Sequence, residues 1–171
     1  MLLQLGGKMN NKIIIVDEND NEIGSEIRDD KIREGIYRVS ALWLKSSNEN
    51  VLLAKRALTK AHHPGKWGPA VAGTIEEGET YDSNIIKETE EELGLKDIKL
   101  EKACKKRISG KYNFFVQWYK LILDKDINDF NYSREEIDEI KWISKEDLIK
   151  EFNENPEDFL SSIGFCIEEF C

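Results

Sequence analysis

The chain is short of the residues that build several common kinds of site and scaffold. Its three cysteines, Cys104, Cys166 and Cys171, form no CxxC pair. An odd count with no signal-type leader predicts reduced thiols and a cytoplasmic setting, not a disulfide framework. Two adjacent histidines, His62 and His63, are too few for a histidine-rich zinc centre. No apolar run approaches the roughly 18 residues that cross a bilayer, so no membrane partner is expected. Positive charge is in deficit. There are 25 Lys and Arg against 34 Asp and Glu, and the net charge of −9 argues against general affinity for nucleic-acid polymers. Such a chain binds small anions through a metal ion or a few placed basic side chains.

What is present suffices for one domain. A chain of 171 residues, 40% of them hydrophobic, can bury a sizeable core. Residues 1–11 read as a loose leader and residues 12–171 as a single domain. Lys12–Val16 and Glu22–Ile27 flank a strong turn, Asp17-Glu18-Asn19-Asp20-Asn21, and predict a hairpin that must lean on other elements. Residues 28–35 are charged and read as a loop or one helical turn. Ile36–Lys45 and Val51–Arg56 predict core strands. Residues 57–68 form a donor-rich loop, and 69–74 a short strand of small residues. Residues 80–93 predict a helix, capped by Thr80 or Asp82 and stopped by Gly94. Two strands follow, over 98–108 and 112–123, and Ile137–Ile143 alternates with period two. Ser144 caps a helix over 145–152. Asn155 before Pro156 starts a C-terminal amphipathic helix over 156–171. The order predicts an α+β fold, a mixed sheet between helices in α/β/α layers.

The informative stretch is GTIEEGETYDSNIIKETEEELGL, residues 73–95. With Glu88 at zero on a helical wheel, Glu91 falls at about −60° and Glu92 at about +40°. Ile85, Thr89 and Leu93 occupy the next arc. One side of the helix therefore faces a core and its neighbour gathers three carboxylates. Like charges at this spacing repel. A solvated acidic face would tolerate that, and a hard divalent cation would convert it to binding. Oxygen-only ligands favour Mg2+ or Mn2+, which keep waters and accept substrate phosphates.

The spacing carries a family resemblance. Gly73, five residues, Glu79, seven residues, Lys87-Glu88, Thr89, Glu90, Glu91-Glu92, Leu93, Gly94, Leu95 resembles the signature box of the Nudix hydrolases throughout. Two positions depart from it: Lys87 stands for the usual Arg, and Thr89 for an aliphatic residue. The resemblance implies a Nudix-type α/β/α sandwich. It also implies a Mg2+-dependent hydrolase of a nucleoside diphosphate linked to another group X. On that resemblance Gly73, Glu88, Glu91 and Glu92 hold the metal, Gly73 through its carbonyl. Glu88 also serves the attacking water, Glu79 braces the loop, and Lys87 supplies charge without the planar fork of Arg. Glu135 or Glu136 is the candidate for a further acidic group, with Glu136 taken as the catalytic one.

Arg56-Ala57-Leu58-Thr59-Lys60 with Pro64-Gly65-Lys66-Trp67 resembles type 1 isopentenyl diphosphate isomerase, a Nudix-fold enzyme. That resemblance implies that Arg56 and Lys60 grip the substrate diphosphate. The isomerase chemistry itself needs a Cys where Ala72 stands, a His where Thr74 stands and a further His where Tyr37 stands. Hydrolysis is therefore preferred, with an isomerase-like enzyme or a non-catalytic nucleotide-binding sensor as alternatives. The expected partner is a small-molecule diphosphate, and a homodimer stays open. Trp43, Trp67, Trp118, Tyr37, Tyr112 and Phe114 are candidates to stack on a base wherever they face the cleft.

Overall fold

The computed structural model describes residues 11–29, 31 and 33–171; the leader expected over 1–11 lies, except for Asn11, outside the described residues. Strand β1 (Lys12–Val16) and β2 (Glu22–Ile27) form the expected hairpin. It leans on the body of the molecule through Ile15 and Val16, which pair with the start of β3 (Ile36–Lys45).

Strand β3 organises the sheet. Along one edge it meets β1 and then β6 (Val71–Thr74), both antiparallel. Along the other it runs parallel to β8 (Phe114–Ile122) over nearly its whole length. β7 (Glu101–Ile108) pairs antiparallel with β8. β4 (Val51–Arg56) joins β3 only at Lys45 and Val51, then diverges to pair with β9 (Ile137–Ile143) and the two-residue β5 (Trp67–Gly68). β5 is absent from the sequence reading, because two residues carry no period.

The period-two alternation of β3 divides the core between two faces. Leu42 and Leu44 point to one side, where they pack with Leu52, Tyr119, and Ile85 and Leu93 of helix α1 (Tyr81–Leu93). Ala41 and Trp43 point to the other, among Leu53, Trp118, Leu148 of α2 (Lys145–Glu154), and Ile163 and Cys166 of α3 (Ser162–Phe170). This is the expected layered sandwich. Among the described residues, no helix is long and apolar enough to cross a membrane.

One element is corrected. The single helix expected over 156–171 is broken: Pro156–Asp158 form one 3-10 turn, and α3 begins only at Ser162. The break has a use. Phe159 pairs beside Trp67, and the Leu160 amide donates to the Trp67 carbonyl at 2.8 Å. An extended segment here ties down the loop that leads into β6, which a continuous helix would not reach.

Candidate active site

Helix α1 is locally well specified. The Thr80 hydroxyl accepts from the Ser83 amide at 3.1 Å, and Ser83 Oγ accepts from the Thr80 amide at 2.9 Å, a reciprocal cap. Gly94 ends the helix with φ of 67°, a left-handed cap whose amide donates to the Glu90 carbonyl. Asn84, Ile85, Thr89 and Leu93 are buried. Thr89, the odd residue at an aliphatic position, turns its hydroxyl back on the Ile85 carbonyl at 2.6 Å. That bond satisfies the hydroxyl internally, so a polar residue sits in the core without an unpaired group. Glu90 faces away and pairs with Lys96 at 3.0 Å. Glu88, Glu91 and Glu92 border a single cleft.

The floor beside them is β6. Gly73 pairs with Ser40, and a Cβ at Gly73 would lie 2.4 Å from Glu88 Cγ and 2.9 Å from Asn84 Oδ1. Glycine is required because the Glu88 stem occupies that space. Asn84, fully buried, takes the Ser40 hydroxyl at 2.5 Å and donates to Glu79 at 2.8 Å. Glu79 also accepts from the Glu76 amide at 2.9 Å and from Lys87 at 2.6 Å. Burial pushes the Glu79 carboxyl up, but Lys87, the Glu76 amide and Asn84 together hold it below its ordinary value. Lys87 lies 3.4 Å from Glu88 and 3.7 Å from Glu76. Burial disfavours its charge, and Glu79, Glu88 and Glu76 more than restore it. Without the Arg fork, one ammonium still touches three carboxylates.

The loop after β4 adds basic side chains to the same cleft. Arg56 Nε donates to the His62 carbonyl at 3.0 Å, and the loop closes on itself through the amide of Gly65 and the carbonyl of Arg56. The Lys60 ammonium donates to the Glu136 carboxylate. Burial lowers the Arg56 guanidinium, against the pull of Glu92 and Glu136. The field is mutual. Glu92 is raised well above its ordinary value by burial and by Glu88 and Glu136, with Lys60 and Arg56 opposing. Glu88 is raised by burial, and Glu91 adds to that while Lys87 resists. His63 is lowered by burial and by the nearby cations Arg56 and Lys66.

The cleft encloses about 1080 Å³, and Gly73, Lys87, Glu88, Glu91, Glu92, Arg56, Lys60 and Glu136 all line it. Elements remote in sequence thus bring every predicted site residue to one place. Tyr37, Ala72 and Thr74 also line it, so the positions that isomerase chemistry would need are on the wall but carry no thiol or imidazole. Sequence reasoning missed Arg28, Lys31 and Arg33, which bring positive charge to the cleft from the segment between β2 and β3. Their one signal was charge in a stretch read as a loop. Oxygen donors for a cation are the carboxylates of α1. Among the described residues, no three His, Cys, Asp or Glu side chains close into a cage, so any ion would sit in an open site completed by water or substrate.

Known proteins resemble this chain in sequence and in fold. An uncharacterized Nudix hydrolase of Pseudomonas aeruginosa is 30% identical over 147 residues, 82% of this chain and 83% of that protein. An isopentenyl-diphosphate Delta-isomerase of Aromatoleum aromaticum is 26% identical over 94% of this chain and 92% of its own length. A crystal structure of a Deinococcus radiodurans protein superposes with a TM-score of 0.80 at 21% identity, covering 94% of this chain and 99% of that one. The NUDIX domain model matches residues 36–163, from the first residue of β3 to the start of α3. The chain therefore belongs to the Nudix hydrolase family.

Proposed function

We propose that the protein is a Mg2+- or Mn2+-dependent hydrolase that cleaves the anhydride bond of a nucleoside diphosphate linked to another group X. One observation supports this above others. The acidic face of α1, with Glu88, Glu91 and Glu92, shares a single cleft with Arg56 and Lys60. A diphosphate needs both walls: cations for its outer oxygens, and carboxylates to hold the metal that neutralises the rest. The donor set fits a hard cation. Glu88 and Glu92 are desolvated carboxylates that repel each other, and Lys87 and Lys60 offset this only in part. Gly73, Glu88, Glu91 and Glu92 would hold the ion, which supplies charge neutralisation at the phosphate and a more acidic water.

The remaining work belongs to the chain. Arg56 and Lys60 bind the diphosphate, Arg56 pre-positioned by the His62 carbonyl. Lys87 holds Glu79 and Glu88 together, fixing the direction of Glu88. Glu88 orients the water and takes its proton as the water oxygen bonds to phosphorus and the anhydride P–O bond breaks. Glu136 holds Lys60 and is the second acidic group near the attack. The three free thiols support the cytoplasm as the proposed compartment.

The test is a panel of nucleoside diphosphate derivatives with Mg2+ or Mn2+ and product identification. Turnover that chelation abolishes, and that Glu92→Gln reduces by at least about 100-fold, is expected. Tight binding without turnover across the panel would make the protein a sensor. Conversion of isopentenyl to dimethylallyl diphosphate would restore the isomerase.

A further inference from the structure

Strand β2 ends the sheet with an open edge. Among the described residues it pairs only with β1, and no strand lies along its other side. The Arg28 amide donates to the Asn11 carbonyl at 2.8 Å, so the neighbouring residues Ile27 and Ser25 turn their amides and carbonyls away from β1. The pairing shifts between Ile15 and Val16, and Ile23 has no partner on β1. The same strand exposes apolar surface. Ile23 and Ile27 are 67% and 54% exposed, while the other exposed large apolar side chains, Leu58, Ile86 and Ile122, stand on separate elements. Natural proteins blunt a free edge with charge, proline or a covering segment, because unpaired amides and carbonyls beside apolar side chains invite another strand. Here the blunting is confined to one end, where Arg33 Nη2 donates to the Ile27 carbonyl at 3.0 Å.

We propose that the edge of β2 is an interface for a second copy of this chain, the two β2 strands running antiparallel about a two-fold axis at Ser25. The occupant is argued from the strand itself, which is complementary to its own reverse. With Ser25 opposite Ser25, Ile23 falls opposite Ile27 of the second copy, Glu22 opposite Arg28, and Gly24 opposite Glu26. Apolar side chains meet apolar ones, opposite charges meet, and no like charges stand directly across. Arg28 bonds Glu76 at 3.0 Å yet keeps 46% of its side chain exposed, which leaves it open to Glu22. The backbone groups also match. The Ser25 amides and carbonyls exchange bonds across the axis, and each Ile27 amide donates to the Ile23 carbonyl of the other copy. Arg33 keeps the Ile27 carbonyl and closes the end of the seam. A two-fold contact uses the same patch on both copies, so assembly stops at a dimer in which the two sheets run on as one. This interface stands apart from the hydrolase reading.

The test is sedimentation velocity of the full chain from about 1 to 500 µM. One strand edge is a small interface, so a monomer–dimer equilibrium with Kd of about 10–100 µM is expected. Ile23→Lys should weaken the dimer about tenfold or more, because it sets a charge against Ile27 of the other copy. Adding Ile27→Glu to that variant should restore the dimer, since the new Lys and Glu then face each other in the stated register. Both side chains are more than half exposed, so neither change disturbs the core. A natural chain that stays monomeric over the whole range overturns the proposal. So does a dimer indifferent to Ile23→Lys, which would lie on another face, or a double variant that fails to recover. Dimerisation without turnover of the diphosphate panel would leave the interface standing and remove the hydrolase reading; turnover by a strictly monomeric chain would do the reverse.

Discussion

Replacing Gly73 by Ala should separate activity from stability. The Gly73 backbone does not have a positive φ, so alanine is not strained there by conformation. The conflict is steric. Its Cβ would stand 2.4 Å from Glu88 Cγ and 2.8 Å from Glu88 Cδ, where carbon pairs prefer about 3.5–4.0 Å. The strand cannot retreat, because Ser40 holds it by pairing and the Ser40 hydroxyl is bound to Asn84 on α1. Glu88 must therefore swing, carrying its carboxylate by an ångström or more. Overpacking of this kind costs about 1–3 kcal/mol, partly offset by the roughly 0.5–1 kcal/mol gained when glycine leaves a strand. For a domain of this size a net loss of about 1–2 kcal/mol lowers Tm by roughly 2–8 °C. A misplacement of about 1 Å at a reacting group costs about 100-fold in rate. Scanning calorimetry beside a phosphate-release assay reads both. Gly24→Ala is the control, since nothing lies within 4 Å of its Cβ position, and it should change neither. A folded Gly73→Ala protein with full activity would refute the reasoning, because the close approach would then have no bearing on Glu88. A variant that does not fold would show that Glu88 cannot yield and that the pairing of β6 bears the strain instead.

Other outcomes follow from the same contacts. Lys87→Met leaves Glu79 and Glu88 without their shared ammonium and should lower kcat/KM about 10- to 100-fold, while Lys87→Arg should match or exceed the natural chain; equal rates for all three would dismiss Lys87 as a positioning residue. Asp20 offers a pH test away from the cleft. Burial raises its carboxyl, but Lys105 at 2.6 Å, Arg38 at 2.7 Å and Tyr81 at 3.1 Å hold it below its ordinary value. A depressed native value means the carboxylate stabilises the fold above about pH 4, and that contribution fades as pH falls through the native value. Asp20→Asn, whose side chain tolerates the φ of 62° at this turn, should cost about 2 kcal/mol at neutral pH. The Tm gap between the two proteins should narrow on acidification, and a gap constant down to pH 2 would contradict the ion-pair account.

Legibility in the sequence depended on whether a feature is local. Helix α1 could be placed to within a residue, its cap narrowed to Thr80 or Asp82, because capping, period and the left-handed Gly94 all act within a few positions. The carboxylate cluster and the place of Gly73 at the head of its stretch were readable for the same reason: one box spans both. Strand β5 and the broken C-terminal segment were not readable, because each rests on a partner remote in the chain, β5 on β4 and Phe159 on Trp67. Nothing in Pro156–Asp158 announces that the chain must stay extended to reach a loop so far back. The basic rim of Arg28, Lys31 and Arg33 was likewise hidden, since a charged loop points to no cleft until the hairpin before it has docked on β3. The partner of Lys60 was also invisible: Glu136 was taken as an acidic group for the reaction, with no sign that it would hold a cation of the diphosphate grip.

The parallel seam between β3 and β8 has a consequence for how the protein comes into being. Tyr37 and Phe114 are register partners, yet β4, β5, β6, α1 and β7 all lie between them in the chain. During synthesis the acidic helix emerges and can form while the strand that completes the sheet beside it has not yet left the ribosome. Closing that long loop is the slow, entropically costly step, and an open β3 edge is exposed until it is done. The acidic helix and the basic pair Arg56 and Lys60 thus precede in the chain the strand that completes the sheet, and Glu136 follows it. A chain stalled before β8 would carry the whole signature box beside an open sheet edge.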